Sequence, residues 1–206
     1  MSIGLLGTKI GMTQLFSDNG SCMPVTVLKV GPCVITQIKT INSDGYDAVQ
    51  IGYSQVAAHL LTKGQLGHLN KSNAPALKYL QEYRVDTPNI FALGQILTVD
   101  QIKIGEKVSV RSNSIGKGFA GYQKRHNFSR GPMSHGCKNH RQPGSIGAGT
   151  TPGRVFPGKK MAGRLGGKKT TVKNLQVIDI NTEQNFIIVK GSVPGKPGAI
   201  LNIQST

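Results

Sequence analysis

The residues best suited to metal or thiol chemistry lie close together in the motif HGCKNH, which contains His135, Cys137 and His140. Imidazole and thiolate groups bind zinc, but a structural zinc site needs four ligands, and the other cysteines lie more than 100 residues upstream. A cysteine–histidine pair can also perform nucleophilic catalysis when a third group orients the histidine. The surrounding sequence contains no carboxylate that could do so. We therefore predict neither a metal site nor a catalytic thiol at this motif.

Two glycine-rich stretches partly match nucleotide-binding motifs. The run GKGFAG at 116–121 has the spacing of a dinucleotide fingerprint, but the next acidic residue, Asp179, follows 58 residues later instead of about 20. The run GRLGGKKT at 163–170 resembles a P-loop, but Ala162 replaces its first glycine and Lys169 replaces its Ser or Thr. We therefore predict no cofactor and no small-molecule substrate. One rival hypothesis, an RNA-modifying enzyme that uses residues 116–121, would be revealed by cofactor binding to the isolated protein.

The chemistry that these stretches support is the binding of anions. Arg111–Lys173, called here the basic segment, has 63 residues with 14 Lys and Arg, no Asp or Glu, and 13 of the chain's 27 glycines. It carries +14 of the net charge of +16. Arginine donates bidentate hydrogen bonds to phosphate, and glycine lets the backbone approach a ligand closely. Because so many like charges repel one another and apolar periodicity is missing, the segment needs a polyanion to give it a fixed structure.

Aromatic residues lie among these cations, an arrangement that suits base stacking beside phosphate contacts: Phe119, Tyr122, Phe128 and Phe156. The alternative for each of the four is that it anchors the base of the segment onto the folded body. No pattern of a groove-reading helix or dimeric ribbon supports a rival architectural DNA-binding protein, which competition between RNA and duplex DNA would test. Without carboxylates the segment cannot hold the ions of a metal-dependent nuclease, so we predict no enzyme.

The remainder of the chain is predicted to consist mainly of short strands that position the basic segment. Alternating apolar residues and turn motifs predict strands at 3–16, 22–30, 33–40, 46–53, 78–85, 96–99, 107–110, 171–180, 185–190 and 199–203. Turns are predicted at 17–20 and 42–45, and an insertion with a short helix at about 55–76. The first four or five strands suggest a small barrel or sandwich.

The basic segment is predicted to be an insertion between strands of one sheet, because neither flanking half offers a complete core. One or two helical turns are predicted within residues 116–128, and no periodicity follows at 129–151. Each limb could reach up to ~55 Å, well beyond the ~15 Å radius of gyration expected for the remaining residues. Three cysteines without framework spacing favour a reducing compartment, and no apolar run approaches the length of a membrane span. The first residues have the character of a mature N-terminus.

Four sequence runs together resemble the family of large-subunit ribosomal protein three of the bacterial and plastid type. They are LLGTKIGMTQLF near the start, KRHNFSRGPMSHG with KNHR and PGSIG in the basic segment, TPGRVFPGKKMAGRLG after them, and VKGSVPGKPGA near the end. The resemblance extends over nearly the whole chain. It implies a mainly β fold with a six-stranded closed β-barrel like that of translation-factor domains, a small α/β insertion and a long irregular basic extension.

The resemblance also implies a domain organisation and a function. Residues 1–206 would form a single barrel domain with the insertion at about 55–76 and the extension at about 111–173, whose tip lies at about 139–149. The protein would be a structural constituent of the large ribosomal subunit that helps nucleate its assembly and extends its arm towards the peptidyl transferase centre. Its partners would be large-subunit ribosomal RNA and neighbouring large-subunit ribosomal proteins, with no membrane.

The side chains predicted to bind ribosomal RNA are the cationic and hydrogen-bonding residues of the extension: Lys117, Lys124, Arg125, His126, Arg130, His135, Lys138, Asn139, His140, Arg141, Gln142, Arg154, Lys159, Lys160, Arg164, Lys168 and Lys169. The predicted tip continues with Pro143, Gly144, Ser145, Ile146, Gly147, Ala148 and Gly149. Family members modified on a Gln directly after Gly-Ser-Ile-Gly have that Gln where this chain has alanine, so the resemblance does not carry the modification over. The run GAGTTPGRV is similar to cyanobacterial and plastid members, which implies the chloroplast stroma or else a bacterial cytoplasm.

Overall fold

A computed structural model describes residues 3–205 of the 206-residue chain. The fold is mainly β, as predicted. The strands are β1 (Leu5–Phe16), β2 (Cys22–Val30), β3 (Cys33–Lys39), β4 (Ala48–Gln55), β5 (Leu77–Arg84), β6 (Ile96–Leu97), β7 (Lys107–Asn113), β8 (Phe119–Ala120), β9 (Gly163–Arg164), β10 (Lys169–Asn181), β11 (Phe186–Lys190) and β12 (Ile200–Ser205). The α-helices are α1 (Ile41–Asp44), α2 (Lys63–Asn70) and α3 (Tyr122–His126).

Six strands pair in the order β1-β12-β7-β10-β11-β2, and β2 pairs again with β1, so that they form a closed barrel. All of these pairs are antiparallel. Alternate residues point to one face of a strand, and the interior ones are apolar: Val108 and Val110 in β7, and Leu201 and Ile203 in β12, are each at most 1 % exposed. The period-two pattern thus places one apolar face of every such strand in a common core.

Strands β3 to β6 form a second, four-stranded antiparallel sheet in the order β5-β4-β3-β6. Of the two arrangements suggested for the first four or five strands, a single barrel is therefore wrong, because β1 and β2 pair in one sheet while β3 and β4 pair in another. Gly31, with φ +67°, lies in the turn where the chain leaves β2 for β3. Buried residues of both sheets, such as Ile35, Ile51 and Leu28, belong to one continuous core.

Helices α1 and α2 precede and follow β4 in the chain. Helix α1 replaces the turn predicted at 42–45: its last turn closes with the N–H of Gly45 (φ +82°) donating to the carbonyl of Ile41 at 3.0 Å. Asn-Ser-Asp-Gly suits either structure, since a left-handed glycine ends helices as readily as turns. Helix α2 lies in the predicted insertion and begins with a capping box between Thr62 and Gln65. Among the described residues, no helix combines the length and apolar character needed to cross a bilayer.

The strands on either side of the basic segment are neighbours in the barrel, as the sequence predicted. Strands β7 and β10 pair from Lys107 opposite Gln176 to Asn113 opposite Lys169. The chain divides into two compact units: a body of residues 3–114 and 169–205, and an inserted unit, Ile115–Lys168. The inserted unit contains β8, β9 and α3 and has neither helix nor strand at residues 127–162.

Candidate nucleic-acid interface

The inserted unit has one sign of charge. It contains 11 of the chain's 25 Lys and Arg and none of its nine Asp and Glu. No ion pair can therefore form within the unit. Its cations repel one another, and this repulsion is strongest at low salt, where it is least screened. The unit is held together without ion pairs, by backbone hydrogen bonds, by side-chain hydrogen bonds to backbone carbonyls and by small apolar contacts.

A short antiparallel ladder joins the two limbs of the inserted unit. Strands β8 and β9 pair with Phe119 opposite Arg164 and Ala120 opposite Gly163. Two further backbone bonds extend the ladder, from the N–H of Lys117 to the carbonyl of Leu165 at 2.8 Å and from the N–H of Leu165 back to Gly118 at 2.9 Å. Ala120 is buried, whereas the side chains of Lys117 and Arg164 are exposed. The ladder thus places cations of both limbs on the surface.

Two side chains of helix α3 converge on one backbone carbonyl. Arg125 Nη1 donates to the carbonyl oxygen of Met161 at 2.7 Å, and His126 Nε2 lies 2.9 Å from the same oxygen. A Cβ on Gly163 would lie 2.6 Å from Arg125 Nη1, so the missing side chain makes room for the guanidinium. Both residues were predicted to bind RNA, and the structure places them half-buried in contacts between the two limbs.

The four aromatic residues of the inserted unit differ sharply in burial. Tyr122 is 6 % exposed and meets the ring of Phe128 edge-on, with ring centroids 5.3 Å apart and planes at 71°. Phe128 itself is 39 % exposed, Phe156 58 % and Phe119 80 %. Exposed aromatic rings in a cationic unit have the geometry required for stacking with bases.

The HGCKNH motif around Cys137 forms part of a closed loop. The N–H of Gly131 donates to the carbonyl of His140 at 3.2 Å, and His140 Nδ1 lies 3.0 Å from the carbonyl oxygen of Pro132. Gln123 Nε2 also donates to the His140 carbonyl at 3.4 Å. Within residues 3–205, no group of three His, Cys, Asp or Glu side chains could hold a metal ion. His140 is half-buried and serves to close the loop.

The predicted RNA-binding residues fall into two sets. Three of the 17, Arg125, His126 and His140, are half-buried and make the contacts described above. The other 14 are exposed, as are the remaining residues of the predicted tip, 143–149. Sequence reasoning missed the carbonyl of Met161 and the amide of Gln123 as anchors, because neither residue type indicates such a role.

The fold and the charge distribution define a basic, mainly β protein whose barrel carries an inserted cationic unit free of carboxylates. The family model described as Ribosomal protein L3 matches residues 83–186, which include the whole inserted unit. Over 203 residues, 98% of this chain, the sequence is 64% identical to "Large ribosomal subunit protein uL3c" of Pyropia yezoensis, of which it covers 99%. It is also 60% identical to "Large ribosomal subunit protein uL3" of Synechococcus elongatus, of which it covers 95%.

The chain belongs to the ribosomal protein L3 family. The family identified from the sequence is thereby confirmed, including its similarity to proteins from both algae and cyanobacteria. A third relative, "Large ribosomal subunit protein uL3c" of Phaeodactylum tricornutum, is 61% identical over 98% of this chain and 98% of its own length. The family consists of structural ribosomal proteins and is not one of enzymes.

Proposed function

We propose that this chain is a structural constituent of the large ribosomal subunit whose inserted unit binds large-subunit ribosomal RNA. The observation that carries the proposal is that one compact unit contains 11 cations and no carboxylate. Exposed arginines bind phosphate through two parallel hydrogen bonds, and lysines neutralise it as point charges. A protein surface of mixed charge would not complement such a unit, whereas RNA supplies one negative charge per nucleotide.

In this proposal, the anchoring and RNA-binding residues have separate tasks. The β8–β9 ladder and the bonds from Arg125 and His126 to Met161 fix the two limbs against each other. Exposed cations such as Lys124, Arg130 and Arg154 then neutralise phosphates where RNA helices converge. Because residues 127–162 have no regular structure, their backbone can follow narrow gaps between those helices.

The finer features of the proposal come from the family resemblance. The barrel would be of the type found in translation-factor domains, and the tip at 139–149 would lie towards the peptidyl transferase centre. The body has its own apolar core, which supports early binding during subunit assembly, because it can fold before the RNA is complete. Neighbouring ribosomal proteins would contact the body, and the algal and cyanobacterial relatives favour plastid ribosomes or a cyanobacterial cytoplasm.

The salt dependence of binding to large-subunit ribosomal RNA tests the proposal. If about six to ten cations contact phosphate, the affinity should fall roughly 10³- to 10⁵-fold between about 50 and 200 mM salt, by analogy with duplex DNA. Duplex DNA should compete poorly, since nothing in the inserted unit has the form of a groove-reading helix. An affinity that does not respond to salt, or equal competition by duplex DNA, would contradict the proposal.

The position of the tip has a test of its own. Arg141→Ala removes an exposed guanidinium at the predicted tip, whereas Lys78→Ala removes an exposed cation from β5 in the body. We expect the first variant to slow translation by assembled ribosomes more than the second, because it alone acts near the peptidyl transferase centre. Comparable growth and translation in both variants would contradict the assignment of the tip.

A further inference from the structure

A cavity of about 300 Å³ lies within the inserted unit, where three separate stretches meet. Phe128 contributes from the outgoing limb, Ser145 and Ile146 from the predicted tip, and Lys159 and Lys160 from the returning limb. Its volume is at the lower end of the range for small-ligand sites. The lining combines one aromatic ring, two aliphatic side chains (Pro143 and Ile146), one hydroxyl, two lysines and Gly158. Phosphate binding alone would not require the apolar groups.

The aromatic ring of this cavity is held in place. Tyr122 meets Phe128 edge-on at 5.3 Å between centroids, and the imidazole of His126 lies 6.1 Å away at an angle of 46°. His126 is in turn fixed by the carbonyl of Met161. Phe128 nevertheless remains 39 % exposed and lines the cavity. A ring that is fixed on one side and accessible on another is preorganised to stack, because little side-chain entropy is lost when a planar group binds.

The polar groups of the cavity suit a phosphate next to a planar group. Lys160 Nζ lies 5.9 Å from the centroid of Phe128, and Lys159 is an exposed neighbour in sequence. Ser145 Oγ donates to the carbonyl of Gly147 at 3.0 Å, so its oxygen can still accept a hydrogen bond. No carboxylate of the inserted unit can neutralise these lysines. The cavity therefore favours an occupant that has both a flat π-face and a negative charge.

We propose that this cavity binds one unstacked nucleotide of the ribosomal RNA, with its base against Phe128 and Ile146 and its phosphate at Lys159 and Lys160. The inference rests on the proposed function and sharpens it, because phosphate contacts alone would not distinguish paired from unpaired RNA. A base can enter only where it is free of its helix, as in a loop or bulge. The cavity thus fixes the register of the inserted unit on the RNA at one nucleotide.

Ultraviolet cross-linking of the full chain bound to large-subunit ribosomal RNA tests the proposal. An aromatic ring in contact with a base forms a covalent adduct, which mass spectrometry of the digested complex assigns to a residue. We expect a nucleotide adduct on Phe128 at a single RNA position. Phe128→Leu should remove this adduct and weaken binding roughly 5- to 150-fold, the range for loss of one stacked base.

Phe16→Leu is the matched control, because Phe16 is 69 % exposed, lies in β1 of the body and does not line the cavity. It should leave the Phe128 adduct intact and change the affinity less than twofold. If the unaltered chain binds the RNA with a steep salt dependence but Phe128 gives no adduct, the cavity proposal is wrong and the proposed function stands. If the unaltered chain does not bind the RNA, both are wrong. An adduct joining the cavity to another protein in assembled subunits would also overturn the nucleotide proposal.

Discussion

Among the cations of the inserted unit, the local partner and not the residue type determines the role. Arg125 and Arg130 are five residues apart and carry the same charge. The first donates to the Met161 carbonyl at 2.7 Å and is half-buried, whereas the second is exposed. A hydrogen bond from a charged donor across two limbs contributes to holding them together, while an exposed guanidinium leaves its donors for phosphate. Both were predicted to bind RNA, and only their surroundings separate the two functions.

Tyr83 offers a test of a buried polar atom in the body. The residue is 3 % exposed, and its hydroxyl has no hydrogen-bond partner among the described residues. We expect Tyr83→Phe to raise the free energy of unfolding by about 1 kcal/mol, because the hydroxyl is hydrated in the unfolded chain and unsatisfied in the fold. Urea unfolding measures this change.

Tyr53→Phe serves as the matched control for that substitution. Tyr53 is 6 % exposed, and its hydroxyl lies 3.4 Å from Thr8 Oγ1 and 3.5 Å from the carbonyl oxygen of Lys29. Because these bonds are lost in the variant, we expect Tyr53→Phe to lower the free energy of unfolding by about 0.5–1.5 kcal/mol. An equal loss of stability in both variants would show that the hydroxyl of Tyr83 is satisfied.

The thiol of Cys33 should be chemically inert in the folded protein. Burial raises the pKa of this thiol to about 11, against a weaker lowering effect from the backbone N–H of Leu6. At pH 8 only about one thiol in 10³ is then ionised, and the thiolate is the reactive form. We expect iodoacetamide to modify Cys33 at least ~100-fold more slowly than the exposed Cys22, as followed by mass spectrometry. The difference should disappear in urea, and equally fast native labelling would refute the prediction.

At the scale of an element, the pairing of β1 with β2 depends on a glycine at one position and tolerates a side chain at another. Gly7 lies opposite Val30, and a Cβ there would lie 2.5 Å from the carbonyl oxygen of Lys29, a backbone atom of β2. Gly7→Ala should therefore lower the free energy of unfolding by about 1–3 kcal/mol, as overpacking does. Gly11→Ala, in the same strand, meets open space and should change it by less than about 0.5 kcal/mol. Chemical denaturation that gives the same cost for both would contradict this view.

The elements themselves were more predictable than their partners. Alternating apolar residues identified β7, β10 and β12 because the period of two is a local property of each strand. The same alternation occurs in β3 and β4, so it could not show that these strands leave the barrel for a second sheet. Pairing is decided by contacts between residues far apart in the chain, which a single sequence does not display.

For the candidate site, the sequence predicted the location of the cationic unit but not the contacts of its individual residues. The absence of acids from residues 111–173 excluded ion pairs within the segment, and 14 of the 17 predicted residues are exposed. The contacts of Arg125, His126 and His140 could not be predicted, because all three use backbone carbonyls, which every residue possesses. The charge pattern therefore identifies the unit, and the geometry separates its anchoring residues from its exposed cations.

At the scale of the whole molecule, the apolar core and most of the excess positive charge lie in different units. The body holds all nine acidic residues together with 14 of the 25 basic ones, and its buried apolar residues form a continuous core. The inserted unit holds the other 11 cations, with Ala120 and Tyr122 as its fully buried apolar residues. Each unit therefore has a different source of order, namely hydrophobic burial in the body and, in our proposal, RNA phosphate in the inserted unit.

Replacement of residues 114–168 by Asn-Gly tests this division. Asn113 and Lys169 lie directly opposite each other in the β7–β10 pair, and Asn-Gly is the two-residue turn that best closes such a hairpin. We expect the shortened protein to keep its β circular dichroism and to unfold cooperatively, because its core is intact. Its net charge falls to +5, since 11 of 25 cations and none of the nine acids are removed. Binding to large-subunit ribosomal RNA should fall by at least ~10³-fold, with a correspondingly smaller salt dependence. A shortened chain that cannot fold would show that the core needs the inserted unit, and one that folds but retains full RNA affinity would place the binding surface on the body.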